Sequence, residues 1–202
     1  MLGTIEGSAG GLTFSSQNGL NVLKPKVGRN NSSSPAQQNT RARFKLLTDL
    51  FKRMGPAVRT GLLKQGGLSG YNRFVQQNFF NTEATPENVA SIDYSKIVVS
   101  GGSVEPLAGV QAALNAATGV VTVSFADNSN GGLALDTDRV KVLLVDKTTG
   151  RAVGPDDDDA TRADGSVDIE AAGQAAADLV VLAFAYRADN SDASPTSRAQ
   201  VV

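Results

Sequence analysis

The side chains able to do chemistry in this chain are carboxylates, basic groups and glycine pairs, because two common agents are missing. The 202 residues include no histidine and no cysteine. That removes Ser-His-Asp and Cys-His arrangements, thiolate metal sites and disulfides. It also removes the side chain most often used as a general base near neutral pH. Carboxylate, lysine or tyrosine chemistry is what remains.

The densest set of oxygen ligands is the run Asp156-Asp157-Asp158-Asp159 with Asp164 nearby. Ca²⁺ takes such ligands, and Asp156, Asp158 and Asp164 are its candidates. The run lacks the alternating ligands and central glycine of an EF-hand loop. Four adjacent carboxylates cannot all converge on one ion, so a solvated acidic loop is the stronger reading. Glu83 and Glu87 would share a face of a helix, and paired carboxylates can do acid–base work. Pro86 lies between them and marks a joint instead. The Gly-Gly pairs at 10–11, 66–67, 101–102 and 131–132 precede no Lys-Ser or Lys-Thr, so they read as turns and not phosphate loops. No cofactor or metal is expected, and an enzyme is the weakest reading.

Arg41, Arg43, Lys45, Lys52 and Arg53 form a basic cluster, of which 41, 45 and 52 share a helical face. Such a face can hold phosphates. No nucleic-acid signature accompanies it, so nucleic-acid contact is not favoured over an acidic protein partner or solvation.

The elements that position these residues differ between the two parts of the chain. Residues 1–82 hold 11 Lys and Arg against 2 acids, and residues 83–202 hold 8 against 18. The split predicts two modules and permits attraction between the basic half of one copy and the acidic half of another. Residues 1–33 are rich in Gly, Ser and Asn. Within them, Leu12, Phe14, Leu20 and Val22 flank Asn18-Gly19, a two-residue hairpin turn signal. A lone hairpin is marginal in water, so these four residues are expected to pack on a neighbour. Gly28 to Ser33 reads as a flexible linker.

Ser34-Pro35-Ala36-Gln37 is a capping-box helix start. Phe44, Leu47 and Phe51 then recur at helical spacing, and Gly55-Pro56 predicts a break. A short helix through Val58 and Leu62 and a third from Ser69 through Phe74 and Phe79 complete a basic three-helix module over 34–82. After a joint at 83–90 the period changes to two. Strands are expected at 97–99, 110–114, 120–125, 140–145, 167–169, 179–186 and 199–202. Such strands match an acidic immunoglobulin- or fibronectin-like antiparallel β-sandwich over 91–202, with Phe125 in the place of the missing core Trp. The fold class is therefore α+β: arm and hairpin, helical module, sandwich. Phe44, Leu47, Phe51, Phe74, Phe79 and Phe125 are the leading core candidates, with Val121, Leu143 and Val181 beside them in the sandwich.

The front of the chain resembles an uncharacterised protein family of Bacteroidota genomes and their phages. The matching residues are Gly3-Thr4-Ile5-Glu6-Gly7, Lys26-Val27-Gly28-Arg29, and Ser34-Pro35-Ala36-Gln37-Gln38 leading to Arg43-Phe44. Ser69-Gly70-Tyr71-Asn72-Arg73-Phe74 with Asn78 and Ile92-Asp93-Tyr94-Ser95-Lys96 continue the match. The resemblance implies a source and carries no activity.

Together these features predict a non-catalytic structural subunit of a large self-assembling complex, a phage virion (capsid or tail) component. Its partners would be copies of itself and other virion proteins. Leu12, Phe14, Leu20, Val22, Arg41, Arg43, Lys45, Lys52 and Arg53 are the expected assembly interface. The alternatives are an extracellular filament or surface-layer subunit, and a protein- or carbohydrate-binding adhesion module. No stretch has the roughly 18 apolar residues of a membrane span. With no signal segment visible, synthesis in the cytoplasm is expected, with export if a leader was removed.

Overall fold

The structure, a computed structural model, describes residues 4–17, 19–28, 33–155, 160–171 and 173–202. The chain forms two compact units, residues 1–37 and 38–202.

The first unit is a three-stranded antiparallel sheet, β1 (Gly7–Ala9), β2 (Leu12–Gln17) and β3 (Leu20–Pro25), in the order β1-β2-β3. Ala9 pairs with Leu12 across Gly10-Gly11, where Gly10 has φ +56°, a value that glycine adopts without a steric penalty. Gln17 pairs with Leu20, so Phe14 lies opposite Leu23 and Ser15 opposite Val22. The expected hairpin thus carries a third strand. Its turn residue Asn18 lies outside the described residues.

Helix α1 (Pro35–Gly61) starts as its sequence predicts: the Ser34 hydroxyl accepts from the Gln37 amide at 3.4 Å, and the Ser34 amide donates to Gln37 Oε1 at 3.2 Å. It does not break at Gly55-Pro56. Gly55 has no Cβ to clash with the proline ring, and Pro56 itself is exposed, where water can serve the carbonyl left without a donor. Met54, Ala57, Val58 and Gly61 remain on the buried face on both sides of the proline, so packing carries the helix through. The expected second helix is the end of α1. Gly66 and Gly67, both at positive φ, then turn the chain between Gln65 and Leu68. Helix α2 (Gly70–Asn78) follows, capped by the Ser69 hydroxyl. The described residues contain two α-helices, not three.

Two short strands, β4 (Thr82–Ala84) and β5 (Ala90–Ile92), pair across the expected joint. The sandwich strands are β6 (Ala108–Asn115), β7 (Val120–Ala126), β8 (Arg139–Asp146), β9 (Ala152–Val153), β10 (Ser166–Glu170), β11 (Leu179–Tyr186) and β12 (Ser197–Gln200). They form antiparallel sheets ordered β10-β7-β6 and β12-β11-β8-β9. Together they make the immunoglobulin/fibronectin-like β-sandwich. Its core includes Val121, Val123, Phe125, Val142, Leu144, Val181 and Ala183.

The other face of β8 and β11 is buried as well. Leu143, Val145, Val180, Leu182, Phe184 and Tyr186 pack against Leu47, Leu50, Met54, Val58, Leu62 and Phe74 of the helical region. All eight residues of β11 are buried for that reason. Residues 38–202 therefore have three layers, helices on sheet on sheet, and residues 83–90 separate no units. Stripping the helices away would expose six large sheet residues, each stabilised by about 1.5–3 kcal/mol when buried. The helical region and the outer face of β8 and β11 share a core, so helices and sandwich belong to one compact unit.

Residues 97–99 are not a strand. Ile97 and Val99 are buried, and side chains replace a partner strand. Asn78, fully buried, accepts from the Val98 amide through Oδ1 and donates to its carbonyl through Nδ2, both at 2.8 Å. The Thr196 hydroxyl accepts from the amides of Val99 and Ser100, and Arg198 donates to the Ile97 carbonyl. These backbone groups are thus satisfied without a ladder.

Candidate functional site

The arm sheet is the first candidate, and its faces follow from register. Alternation places Leu12 and Phe14 on one face with Leu23 and Pro25, while Leu20 and Val22 lie on the other with Gln17 and Ser15. The four residues expected to pack on a neighbour are therefore divided between the two faces, and Leu23 takes its place beside Phe14. Leu12 is 41% exposed, Leu23 56% and Leu20 71%. Phe14 and Val22 are half-buried.

The basic cluster is likewise divided. Arg43 is turned inward: Nε donates to Thr82 Oγ1 at 2.8 Å, Nη2 to the Phe79 carbonyl at 2.5 Å, and Cζ stands 4.0 Å from the Phe79 ring centroid. It ties α1 to the end of α2 instead of facing a partner. Arg53 donates to the Thr149 carbonyl in the β8–β9 turn. Arg41, Lys45 and Lys52 are exposed, and Lys52 pairs with Asp49 at 3.6 Å. The core candidates also separate. Leu47, Phe74 and Phe125 are buried, Phe51 and Phe79 half-buried, and Phe44 is 43% exposed. Phe44 lies at the margin of the helical layer, against Phe79 at 5.0 Å between centroids.

Among the described residues the candidate carboxylates do not converge. Glu83 is in β4 and Glu87 in the following turn, so they do not share a helical face. Asp156 and Asp158 lie outside the described residues. Asp164 closes a short 3₁₀ turn, accepting from the Thr161 amide at 2.7 Å and its hydroxyl at 2.8 Å. Those bonds hold its carboxyl below the usual range. Among the described residues no three acidic groups gather as a metal site.

A cleft of about 710 Å³ lies beside α1, lined by Asp49, Arg53, Asp93, Tyr94, Lys147 and Thr149 among others. The Ser95 hydroxyl and Lys96 hold Asp93 low, and burial pushes the Tyr94 phenol up. Both shifts move away from neutrality. These two residues present a fixed charge and a hydroxyl, with neither poised for proton transfer near pH 7.

Sequence reasoning missed one buried ionic network. Arg162 and Asp138 are almost completely buried. Asp138 accepts from Arg187 at 2.8 Å, from Arg162 at 3.4 Å and from the Leu135 amide at 2.9 Å. Arg162 also donates to Asn128 Oδ1 and, at 2.9 Å, to the Glu105 carbonyl. These contacts pin loops at one end of the sandwich, a structural role. Three residues scattered over loops and a 3₁₀ turn carry no periodic signal that could have found them.

The model of the "Family of unknown function (DUF6266)" matches residues 4–196. Comparison with curated proteins returned no match. Among solved structures, an Fn3-like protein from Clostridium thermocellum is similar at 14% identity and a TM-score of 0.33, over 50% of this chain and 93% of that one.

Proposed function

The chain belongs to the DUF6266 family, whose function is unknown, and from its own surfaces we propose that it is a non-catalytic structural subunit that assembles through its N-terminal arm. The observation that carries this reading is the arm sheet. Leu12 and Leu23 stand on one face of a three-stranded sheet, and each is more than a third exposed. A sheet this small gains little stability from its own packing, and its apolar face has most to gain from a second surface. The absence of histidine and cysteine narrows the available catalysis and supports the same reading. The family resemblance in the front half motivates a phage virion as the object assembled.

Light scattering of the purified chain with negative-stain electron microscopy tests this. The full chain is expected to form particles or filaments that disappear when residues 1–33 are deleted. A monomer at every concentration, with or without the arm, would refute self-assembly.

A further inference from the structure

The exposed loop between β7 and β8 holds a reactive pair: we propose that Asn130-Gly131 is a self-modification site, where the folded chain converts Asn130 through a cyclic imide to aspartate and isoaspartate. A negative charge is thereby added at one end of the sandwich. The reaction needs no second copy, so it is independent of the assembly reading above.

Asparagine cyclises when the amide nitrogen of the next residue attacks its side-chain carbonyl carbon. Glycine in that next position leaves the approach clear, having no Cβ. The pair occurs at 18–19 and at 130–131. Asn18 lies outside the described residues, whereas both members of the second pair are described and exposed.

The loop supplies what the reaction at Asn130 requires. Gly131, the nucleophile, stands at φ +71° with open space where a Cβ would lie. Among the described residues its amide donates to no acceptor. The Asn130 carbonyl, the electrophile, is polarised: Oδ1 accepts from the amides of Gly132 at 2.9 Å and Ala134 at 3.3 Å. Two backbone donors on that oxygen favour the negative charge it gains on attack, as in an oxyanion hole. The departing nitrogen is held as well, since Nδ2 donates to Glu105 Oε2 at 2.7 Å. The Asn130 amide on the Ala134 carbonyl at 3.0 Å and the Glu105 amide on the Leu133 carbonyl at 3.1 Å keep these groups in place.

The Gly131 nitrogen forms a bond to Asn130 Cγ as the bond from Cγ to Nδ2 breaks. The proton lost by the Gly131 nitrogen ends on the departing ammonia, and Glu105 is placed to deliver it. Water then opens the imide at either carbonyl, giving aspartate or isoaspartate, and nothing is oxidised or reduced. A carboxylate now replaces the amide that had donated to Glu105, so attraction becomes like-charge repulsion. The loop is pushed away from residues 105–106, which Arg162 and Asn128 hold through the Glu105 and Pro106 carbonyls.

Peptide mapping by mass spectrometry tests this on the full chain aged at mildly alkaline pH, either folded or held unfolded in urea, beside the variant Glu105→Gln. Glutamine can keep the bond to Nδ2 without the charge. The folded chain is expected to gain one mass unit at Asn130, with isoaspartate present, at least as fast as the unfolded chain. Glu105→Gln is expected to slow the folded reaction at least about tenfold and to leave the unfolded one unchanged. If the folded chain modifies Asn130 more slowly than the unfolded chain, the loop protects the amide and the proposal fails. An unchanged rate in Glu105→Gln, shown by circular dichroism to be folded, also overturns it. Should that variant not fold, the comparison of folded and unfolded parent still decides.

Discussion

Replacing Asp138 with alanine leaves the Arg162 guanidinium, 0% exposed, without its counter-charge. What remains around it is neutral, the Asn128 amide oxygen and the Glu105 carbonyl, and its Nε already has no partner. Breaking a buried pair from one side typically costs about 3–5 kcal/mol, because the surviving charge stays desolvated. Asp138 also anchors Arg187 and the Leu135 amide, so the upper part of that range is expected. For a unit of this size the loss corresponds to a fall in melting temperature of roughly 6–20 °C. The converse change, Arg162→Met, is expected to cost less. Asp138 then keeps Arg187 at 2.8 Å, and methionine fills part of the vacated volume. Urea and thermal unfolding followed by circular dichroism measure both. An Asp138→Ala protein within about 1 kcal/mol of the parent would refute the reasoning, since one isolated surface pair is worth that much. So would Arg162→Met proving the more damaging of the two.

Two further outcomes are expected. Gly61→Ala should destabilise by about 1–3 kcal/mol in urea unfolding, because the added Cβ would meet the Val99 carbonyl and lie 2.6 Å from Ser100 Cβ. Helix propensity alone predicts the opposite sign, by up to about 1 kcal/mol, so a stabilised variant would show that the close approach of α1 to residues 99–100 is absent. Asp146 organises the β8–β9 turn, where the Thr149 hydroxyl and then burial, Thr148 and the Thr149 amide act on its carboxyl with a net lowering. A carboxyl lowered in the folded state contributes stability above its unfolded value, about pH 3.9, and that contribution is lost as pH falls through the lower folded value. Acid unfolding should therefore steepen below about pH 4. Asp146→Asn should flatten that limb, and an unchanged acid profile would contradict it.

The sequence by itself determined the local elements, because their signals are local. The Ser34–Gln37 capping box, the Ser69 cap and the alternating sandwich strands each depend on neighbours within a few residues. The division of the arm's side chains was also there to be read. A two-residue turn at 18–19 pairs Gln17 with Leu20, and so sets Leu23, not Val22, opposite Phe14. The unbroken apolar run Leu179–Tyr186 likewise carried a sign that both faces of its strand are covered, since a half-solvated strand alternates.

What tertiary structure alone decided was what covers that strand. The helices close over β8 and β11, and this long-range packing overrides the break expected at Gly55-Pro56 and joins helices and sandwich in one unit. It satisfies residues 97–99 through side chains distant in sequence and turns Arg43 inward beneath Phe79. It also leaves Phe44, a core candidate by its spacing, at the exposed margin of the helical layer. Burial depends on which faces meet, and local spacing specifies a face without naming its partner.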